Sequence, residues 1–360
     1  MSTTHCLVNI VNFLAKSADK SNSASTLITT DFSKAFDRVD HSVVISKLFR
    51  LNPRDWLTPW IVDFLNGRTQ CVRYRGCLSD WSPVTAGVPQ GTRLGPVLFL
   101  VLINDALASV GPQCWKYVDD MTIAESMPRG VATEAQPTLD TLVQWCTENN
   151  MRLNIEKCHA MRVYFGKTML QPLQLTINNQ VLQQVEIVKV LGVFIQADLK
   201  WDKHIHEIVK KANIRMHMLR QLVPFNLPRC DLITIYTGYI RPLLEYAAPV
   251  WHSALTRAQT NHIEKVQKRV LRLILGSQYQ SYEVALNVTQ LETLDDRRNR
   301  LCLKVAQSLA ISPQFCHWLP LNNETSMRLR NPNPFKQIMC RTERYRTSPI
   351  PSFIKSLNNR

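Results

Sequence analysis

Two adjacent carboxylates, Asp119 and Asp120, lie in the middle of a β-prone stretch that runs from Trp115 to Glu125. Neighbouring negative charges repel each other, and two interpretations account for them. One is a solvated hairpin turn, since Asp is common in turns. The other is a metal site, because a bound cation offsets the repulsion. The pair alone favours the turn, so other residues have to decide between the two.

A third carboxylate changes that balance. Asp31 directly follows the β-rich residues 26–30 and so lies at the end of a predicted strand. A strand-end carboxylate can meet two carboxylates at a hairpin turn on a neighbouring strand, and such a cluster requires cations. Two Mg²⁺ ions about 3.5–4 Å apart are typical there, one activating an attacking hydroxyl and one stabilising a leaving pyrophosphate. Asp31, Asp119 and Asp120 are therefore candidate catalytic residues.

The elements predicted around these acids form an α+β body. Apolar residues on one face predict a helix over residues 2–18, and alternation predicts a hairpin over 69–84 and a strand–turn–strand over 114–124. From Trp201 onward the pattern is helical, so the boundary between the two halves falls near residue 200. Further helices are predicted over 40–50, 56–65, 95–108 and 133–150.

Positive charge is concentrated in the second half of the chain. Residues 1–200 contain 19 Lys and Arg against 17 Asp and Glu, whereas residues 201–360 contain 24 against 11. A nearly neutral body followed by a strongly basic half indicates a polyanionic partner, with nucleic acid as the first candidate.

Several other classes of protein fit the sequence less well. No run reaches the roughly 18 apolar residues of a membrane-spanning helix, and the N-terminus lacks the basic region of a signal peptide. None of the ten cysteines forms a C-x-x-C pair, which argues against a zinc site or a disulfide scaffold. We therefore expect an intracellular protein, in the nucleus or the cytoplasm, with reduced thiols and no membrane partner.

Five sequence blocks in a fixed order make the chain recognisable. Together they resemble the reverse transcriptases of non-LTR retrotransposons, the LINE-like and jockey-like group. Any one block would be weak, but the order and spacing of all five across residues 26–205 are specific. The blocks are TLITTDFSKAFDRVDH, AGVPQGTRLGPVLFLVLINDAL, YVDD, LNIEKC and VKVLGVFIQADLKWDKHI.

The resemblance extends more faintly to about residue 300 and implies an architecture. Residues 1–200 would form the palm of a right-hand polymerase with partial fingers. Residues 201–310 would form a mainly helical, basic, thumb-like or connection region. The tail over residues 311–360 is rich in Pro, Asn and Arg, and we expect it to be poorly ordered.

The same resemblance assigns roles around the three acids. Asp31 matches the first palm aspartate, which binds both metal ions, with the carbonyl of Phe32 as a further ligand. Asp119 matches the second metal ligand, and Asp120 the neighbouring acid of the Tyr-x-Asp-Asp turn. Lys157 matches a palm lysine that acts as a general acid or neutralises pyrophosphate. A surface lysine is the alternative for Lys157.

Four further residues match positions that contact the nucleotide. Phe36 corresponds to an aromatic under the incoming sugar, where a bulky ring disfavours a 2′-hydroxyl. Gln90 and Gly91 match a loop that touches the nascent base pair, and Tyr117 packs near the catalytic turn. The alternatives are a core aromatic for Phe36, a helix-capping turn for Gln90 and Gly91, and an ordinary strand residue for Tyr117.

Two segments match regions that hold primer and template. Leu191, Gly192 and Val193 correspond to the hairpin that grips the primer end. A predicted helix near residues 261–276 has an apolar face and a basic face that suits phosphate contacts along a duplex, although a solvated surface is the ordinary interpretation. The residues of the basic face are Lys265, Lys268, Arg269 and Arg272.

The function implied is RNA-directed DNA polymerisation, in which dNTPs are added to a primer 3′-hydroxyl. The partners would be an RNA template, a DNA primer and dNTPs, and the cofactor two Mg²⁺ ions, with Mn²⁺ as a possible substitute. The oligomeric state stays open.

One departure from the family leaves an alternative. The resemblance starts directly after Met1, where the family has a longer segment that builds much of the fingers and binds triphosphate. We therefore expect weak nucleotide binding, and an inactive truncated remnant that at most binds nucleic acid is the alternative. An RNA-dependent RNA polymerase and a group II intron maturase are further alternatives. Phe36 argues against the first, and the residues of the blocks DFSKAFD and LGPVLF argue against the second.

Overall fold

The computed structural model describes residues 2–108, 110–128, 131, 133–166, 173–322 and 333–359. The α-helices among them are α1 (Thr3–Ala18), α2 (His41–Arg50), α3 (Leu57–Leu65), α4 (Leu94–Ile103), α5 (Ala135–Glu148), α6 (Asp202–Leu222), α7 (Arg229–Ile235), α8 (Arg241–Glu245), α9 (Ala248–Trp251), α10 (Arg257–Leu275), α11 (Tyr282–Thr289), α12 (Leu294–Ile311), α13 (Glu343–Arg346) and α14 (Pro349–Asn358). The mixture of helix and sheet agrees with the predicted α+β class.

The strands are short apart from two. They are β1 (Ser23–Thr30), β2 (Thr69–Gln70), β3 (Arg73–Tyr74), β4 (Cys77–Leu78), β5 (Ser82–Pro83), β6 (Gln113–Tyr117), β7 (Asp120–Pro128), β8 (His159–Val163), β9 (Thr176–Ile177), β10 (Gln180–Val181), β11 (Gln183–Gln184), β12 (Ile187–Val190) and β13 (Val193–Gln196).

The chain folds into two compact units that interleave along the sequence. The sheet unit comprises Ser25–Arg162 and Lys167–Val185, and the helical unit comprises Met1–Ala24, Val163–Gly166 and Glu186–Arg360. This division differs from a continuous boundary near residue 200, because α1 packs against α9, α13 and α14 within the helical unit.

The sheet unit is built on a five-stranded sheet with the order β11-β8-β1-β7-β6. β1 is buried along most of its length, as expected of a central strand. The hydroxyl of Thr30 at its end donates to the carbonyl of Met121 on β7 at 3.2 Å. The residues that follow Thr30 and precede Met121, Asp31 and Asp120, are therefore carried by adjacent strands. Helices α2, α4 and α5 enclose a core that includes Leu98, Phe99, Leu102, Leu139 and Leu142.

Local signals account for several boundaries in the sheet unit. The carboxylate of Asp40 caps α2 by accepting from the backbone N–H groups of Ser42 and Val43 at 2.9 and 3.2 Å. Helix α4 was predicted over 95–108 but ends at Ile103. The ammonium of Lys116 donates to the carbonyls of Asn104 and Ala106 at 2.7 Å each, and these bonds stabilise the chain where it leaves the helix.

The helical unit includes most of the C-terminal tail, so the expectation of poor order over 311–360 does not hold for its described residues. Ile350, Phe353 and Ile354 on α14 are buried. The carboxylate of Asp19 accepts from the backbone N–H and the hydroxyl of Thr342 at 2.7 and 2.8 Å. The overall composition of the tail concealed an apolar helix face near its end.

A buried histidine in the helical unit predicts acid sensitivity. His204 is 1% exposed among Trp201 and Trp251, and burial, together with the positive charge of Lys211, lowers its pKa to about 4. The unfolded chain, with a histidine pKa of about 6.5, therefore binds a proton first. We expect the contribution of His204 to be complete above pH 6.5, and up to roughly 3 kcal/mol of stability to be lost as the pH falls to 4.

Urea denaturation at several pH values measures this effect. His204→Phe should flatten the stability profile between pH 6.5 and 4, whereas the same change at the exposed His206 should leave its slope as in the wild type. Equal slopes for wild type and His204→Phe would contradict the assignment.

Candidate active site

The hairpin formed by β6 and β7 carries two of the candidate acids at its tip. Tyr117 pairs with Asp120, which leaves Val118 and Asp119 as a two-residue loop. Val118 has φ +58°, a left-handed conformation that is strained for a β-branched residue. Strain of this kind persists only where surrounding structure imposes it, and such positions cluster at functional sites.

The three carboxylates influence one another electrostatically. Partial desolvation raises the pKa of Asp120, and the negative charges of Asp119 and Asp31 raise it further. The second effect arises because like charges that lie close together repel each other. The structure therefore brings the predicted acids of β1 and of the hairpin into one negative region.

Lys157 also lies at this region, as an ion-pair partner of Asp31. Its ammonium nitrogen is 3.5 Å from Oδ2 of Asp31. A backbone crossing positions it: Phe32 forms a bridge with Leu153, and the N–H of Asn154 donates to the carbonyl of Asp31 at 2.8 Å. The crossing has a second hydrogen bond, from the N–H of Ser33 to the carbonyl of Arg152 at 2.8 Å. Neither of these two bonds uses the carbonyl of Phe32, the further metal ligand implied by the family.

The chemistry of these groups fits a hard divalent cation, because carboxylate and carbonyl oxygens are the ligands that Mg²⁺ prefers. Within the described ranges, however, no three His, Cys, Asp or Glu side chains are arranged as a group that could hold a metal ion. The oxygen donors and their negative charge suit the cation, but in this structure the described side chains do not converge on one metal position.

A loop over residues 87–91 is fastened to the segment that follows Asp31. The N–H of Val88 donates to the carbonyl of Phe36 at 2.9 Å, and the N–H of Gly87 donates to the carbonyl of Val39 at 2.8 Å. Gly87 has φ +90°, and a Cβ atom there would lie 2.9 Å from the carbonyl oxygen of Asp37. Only glycine fits this close approach of two backbones.

The predicted nucleotide contacts lie along this loop and its neighbours. The side-chain amide of Gln90 donates to Oδ1 of Asp37 at 3.1 Å. Gly91 is exposed, with φ +81° and open space around it. Phe36 is half-buried and stacks on Phe99 of α4, with ring centroids 4.8 Å apart.

Sequence reasoning missed two of the residues that position these groups. Asp37 orients Gln90, and Gly87 permits the contact between the two backbones. The glycine before Val-Pro-Gln-Gly was visible in the sequence, but its partner segment could not be identified from spacing alone.

In the helical unit, two of the predicted primer-grip residues, Leu191 and Gly192, form the turn between β12 and β13, and the third, Val193, is the first residue of β13. Leu191 and Gly192 have φ +44° and +85°, while Val193 is fully buried and belongs to the core. The hydroxyl of Tyr246 donates to the carbonyl of Leu191 at 2.8 Å and so braces the tip of the turn.

The basic face predicted for residues 261–276 lies on α10, opposite buried Ile263, Val266 and Val270. Its four cations separate into two pairs. Lys268 and Arg272 lie over the rings of Tyr282 and Tyr279, at 4.8 and 5.1 Å from the ring centroids. Lys265 and Arg269 are exposed and are not among the cations that lie over a ring of a described residue; Arg272 is exposed as well, and Lys268 is half-buried.

Comparison with known proteins identifies the class. The sequence model of the reverse transcriptase (RNA-dependent DNA polymerase) family matches residues 2–195, so the chain belongs to the reverse transcriptase family. A second, shorter match covers residues 201–241 and is to the N-terminal region of alkylated DNA repair protein alkB homolog 8.

Within that family the chain is similar to RNA-directed DNA polymerases of non-LTR retrotransposons. It is 26% identical to that of mobile element jockey from Drosophila melanogaster over 98% of this chain and 39% of the relative. It is 30% identical to that of jockey from Drosophila funebris over 76% of this chain and 31% of the relative. The chain thus spans less than two-fifths of the length of these relatives.

Among solved structures, a telomerase from Candida tropicalis in complex with a fragment of telomeric RNA matches with a TM-score of 0.43 and 11% identity, over 88% of this chain and 52% of that one. Separately, none of the helices in the described part of the chain is both long and apolar enough to cross a membrane.

Proposed function

We propose that the chain is the polymerase region of a non-LTR retrotransposon reverse transcriptase, which copies an RNA template by adding dNTPs to the 3′-hydroxyl of a DNA primer. The observation that carries the proposal is the placement of the acids: Asp31 follows Thr30 at the end of β1, and Asp119 and Asp120 lie at the tip of the hairpin formed by β6 and β7, the strand next to β1. Family membership supports the same reaction.

In this proposal Asp31, Asp119 and Asp120, with the carbonyl of Phe32, would hold two divalent metal ions, Mg²⁺ or in its place Mn²⁺. A bound divalent ion lowers the pKa of an attacking hydroxyl and neutralises charge on the leaving pyrophosphate. Lys157, beside Asp31, adds a positive charge at the leaving group or donates a proton to it.

The neighbouring residues select and position the nucleotide. In this proposal the ring of Phe36, which stacks on Phe99, would exclude a nucleotide that carries a 2′-hydroxyl. Gln90, Gly91 and Tyr117 border the nascent base pair, and the exposure of Gln90 and Gly91 is compatible with contact to a ligand.

The helical unit contributes contacts to primer and template in the same proposal. The braced turn of Leu191, Gly192 and Val193 would hold the primer end. The cations of α10, Lys265, Lys268, Arg269 and Arg272, would contact phosphates of the duplex.

Primer extension on poly(rA)/oligo(dT) with Mg²⁺ tests the proposed function. A dNTP-dependent product is expected. The absence of product at high protein and nucleotide concentrations would favour the alternative, a remnant that binds nucleic acid without catalysis.

If Phe36 excludes the 2′-hydroxyl, replacing it should change which nucleotides are incorporated. Phe36→Ala removes the ring that blocks a 2′-hydroxyl, so incorporation of rNTPs relative to dNTPs should increase by roughly tenfold or more. Competition between rCTP and dCTP on a defined template measures it. Phe64→Ala, which removes an aromatic that stacks on Trp60 elsewhere in the sheet unit, serves as the control, and an unchanged ratio in Phe36→Ala would refute the gate.

The two pairs of cations on α10 should differ in duplex binding. Replacing exposed Lys265 and Arg269 by Ala should weaken duplex binding and reduce the slope of log K against log[salt] by about one per residue. Replacing Lys268 and Arg272, which contact tyrosines, should change the slope less. Fluorescence anisotropy over a salt series measures both, and equal slopes for all variants would contradict duplex contact by α10.

A further inference from the structure

A basic pocket in the sheet unit is not used by the proposed polymerase chemistry. It has a volume of about 650 Å³, and Arg38 and Arg152 both line it. None of the described residues that line it is acidic. Two guanidinium groups around one pocket repel each other unless an anion lies between them.

The state of Arg38 supports an anion site. Its Nε atom is buried and has no hydrogen-bond partner among the described residues, and a buried donor without a partner costs free energy. A ligand with several acceptor oxygens would satisfy it once the guanidinium group turns toward the pocket. Arginine is suited to this role because its planar group of donors matches phosphate in a bidentate geometry.

The walls of the pocket are preformed by turns. Asn150 has φ +55° at the end of α5, and Asn178 has φ +49° in the two-residue turn between β9 and β10. Both asparagines line the pocket, where their side-chain amides can donate and accept hydrogen bonds. The side-chain amide of Asn150 donates to Oδ2 of Asp40 at 2.8 Å, while Oδ1 of Asp40 caps α2.

Apolar side chains also line the pocket, among them Met151, Leu153 and Cys146. Burial raises the pKa of Cys146 to about 12, so its thiol is neutral. A lining that combines two arginines and two asparagines with apolar side chains suits a flat ring that carries phosphate, and the volume lies within the usual range of small-molecule sites.

From these features we propose that the pocket binds a nucleotide through its phosphate groups, with Arg38 and Arg152 as the phosphate ligands. The ligand is either a free nucleotide or a nucleotide unit of a nucleic-acid strand, since both present the same chemistry. Leu153 at the wall of the pocket bridges Phe32, so a bound nucleotide would contact the segment that orders the residues next to Asp31.

Anisotropy titrations in EDTA test the proposal without catalysis. The probes are a fluorescent ATP derivative and a short labelled oligothymidylate, measured at about 0.15 M salt to limit non-specific attraction. At least one probe should bind wild type. The double variant Arg38→Gln, Arg152→Gln should weaken its binding by about tenfold or more. Tighter binding of the ATP derivative would indicate that the ligand is a free nucleotide. Tighter binding of the oligothymidylate would indicate a nucleic-acid strand.

Three controls make the result specific. Arg54→Gln removes the same charge from an exposed residue outside the pocket and should retain binding. Asp119→Asn should also retain it, which separates this site from the proposed polymerase function. If the double variant does not fold, Thr147→Glu on the exposed rim introduces a repelling charge and should abolish binding. Failure of wild type to bind either probe, or an equal loss in Arg54→Gln, would overturn the proposal.

Discussion

Replacing Asp119 by Asn is expected to reduce primer extension by about a thousandfold or more, without a loss of stability. A metal-bound carboxylate contributes several kcal/mol of transition-state stabilisation, and each 1.36 kcal/mol corresponds to about tenfold in rate. Asn has the same size and is tolerated in turns. Because the negative charges of Asp119 and Asp31 oppose that of Asp120, removing one charge should leave the free energy of unfolding unchanged or slightly higher.

Primer-extension rates and urea denaturation of the same preparations measure this prediction. Asp63→Asn removes an equal charge from an exposed position on α3 and should retain both activity and stability. An Asp119→Asn protein that extends primers at the wild-type rate would exclude this carboxylate from catalysis. A protein that loses both activity and fold would show instead that the acid has a structural role.

Replacing Gly87 by Ala is expected to lower the free energy of unfolding by about 3 kcal/mol and to impair extension. The new Cβ would lie 2.9 Å from the carbonyl oxygen and 3.0 Å from the Cα of Asp37, both backbone atoms that cannot move aside cheaply. Overpacking of this kind costs about 1–3 kcal/mol, and the left-handed backbone adds roughly 1–2 kcal/mol. Displacement of the loop would also move Gln90 away from Asp37.

Gly67→Ala provides the matched control for Gly87→Ala. Gly67 also has a positive φ, +65°, but in the described part of the chain nothing lies within 4 Å of a Cβ at that position. It should therefore lose only the conformational part, about 1–2 kcal/mol. Urea denaturation monitored by circular dichroism compares the stabilities of the two variants. If the two variants lose equal stability, the close approach between the loop and Asp37 does not constrain the fold.

Local patterns in the sequence were sufficient to predict many of the strands and helices of the sheet unit. The β-rich run before Asp31 and the alternation around Asp119 predicted the strand and the hairpin, because both signals lie within a few residues. The metal ligands themselves, and the roles of Phe36 and Lys157, stay predictions. What the structure adds is the electrostatic effect that Asp31 and Asp119 exert on Asp120.

Features that depend on distant partners could not be predicted in this way. The position of Lys157 depends on the bridge between Phe32 and Leu153, and that of Gln90 on Asp37. The apolar stripe of α1 predicted a helix but not its partner α14. An amphipathic pattern shows that one face of a helix is buried, but it does not identify the element that buries it.

The contact between Asp19 and Thr342 spans 323 residues, and this separation affects biosynthesis. At translation rates of about 5–20 residues per second, the first helix would wait roughly 16–65 s before its partner leaves the ribosome. Until α9, α13 and α14 have all been synthesised, its apolar stripe lacks part of its native cover and is a site for chaperones or aggregation. The helical unit therefore completes its fold only after synthesis of the sheet unit has finished.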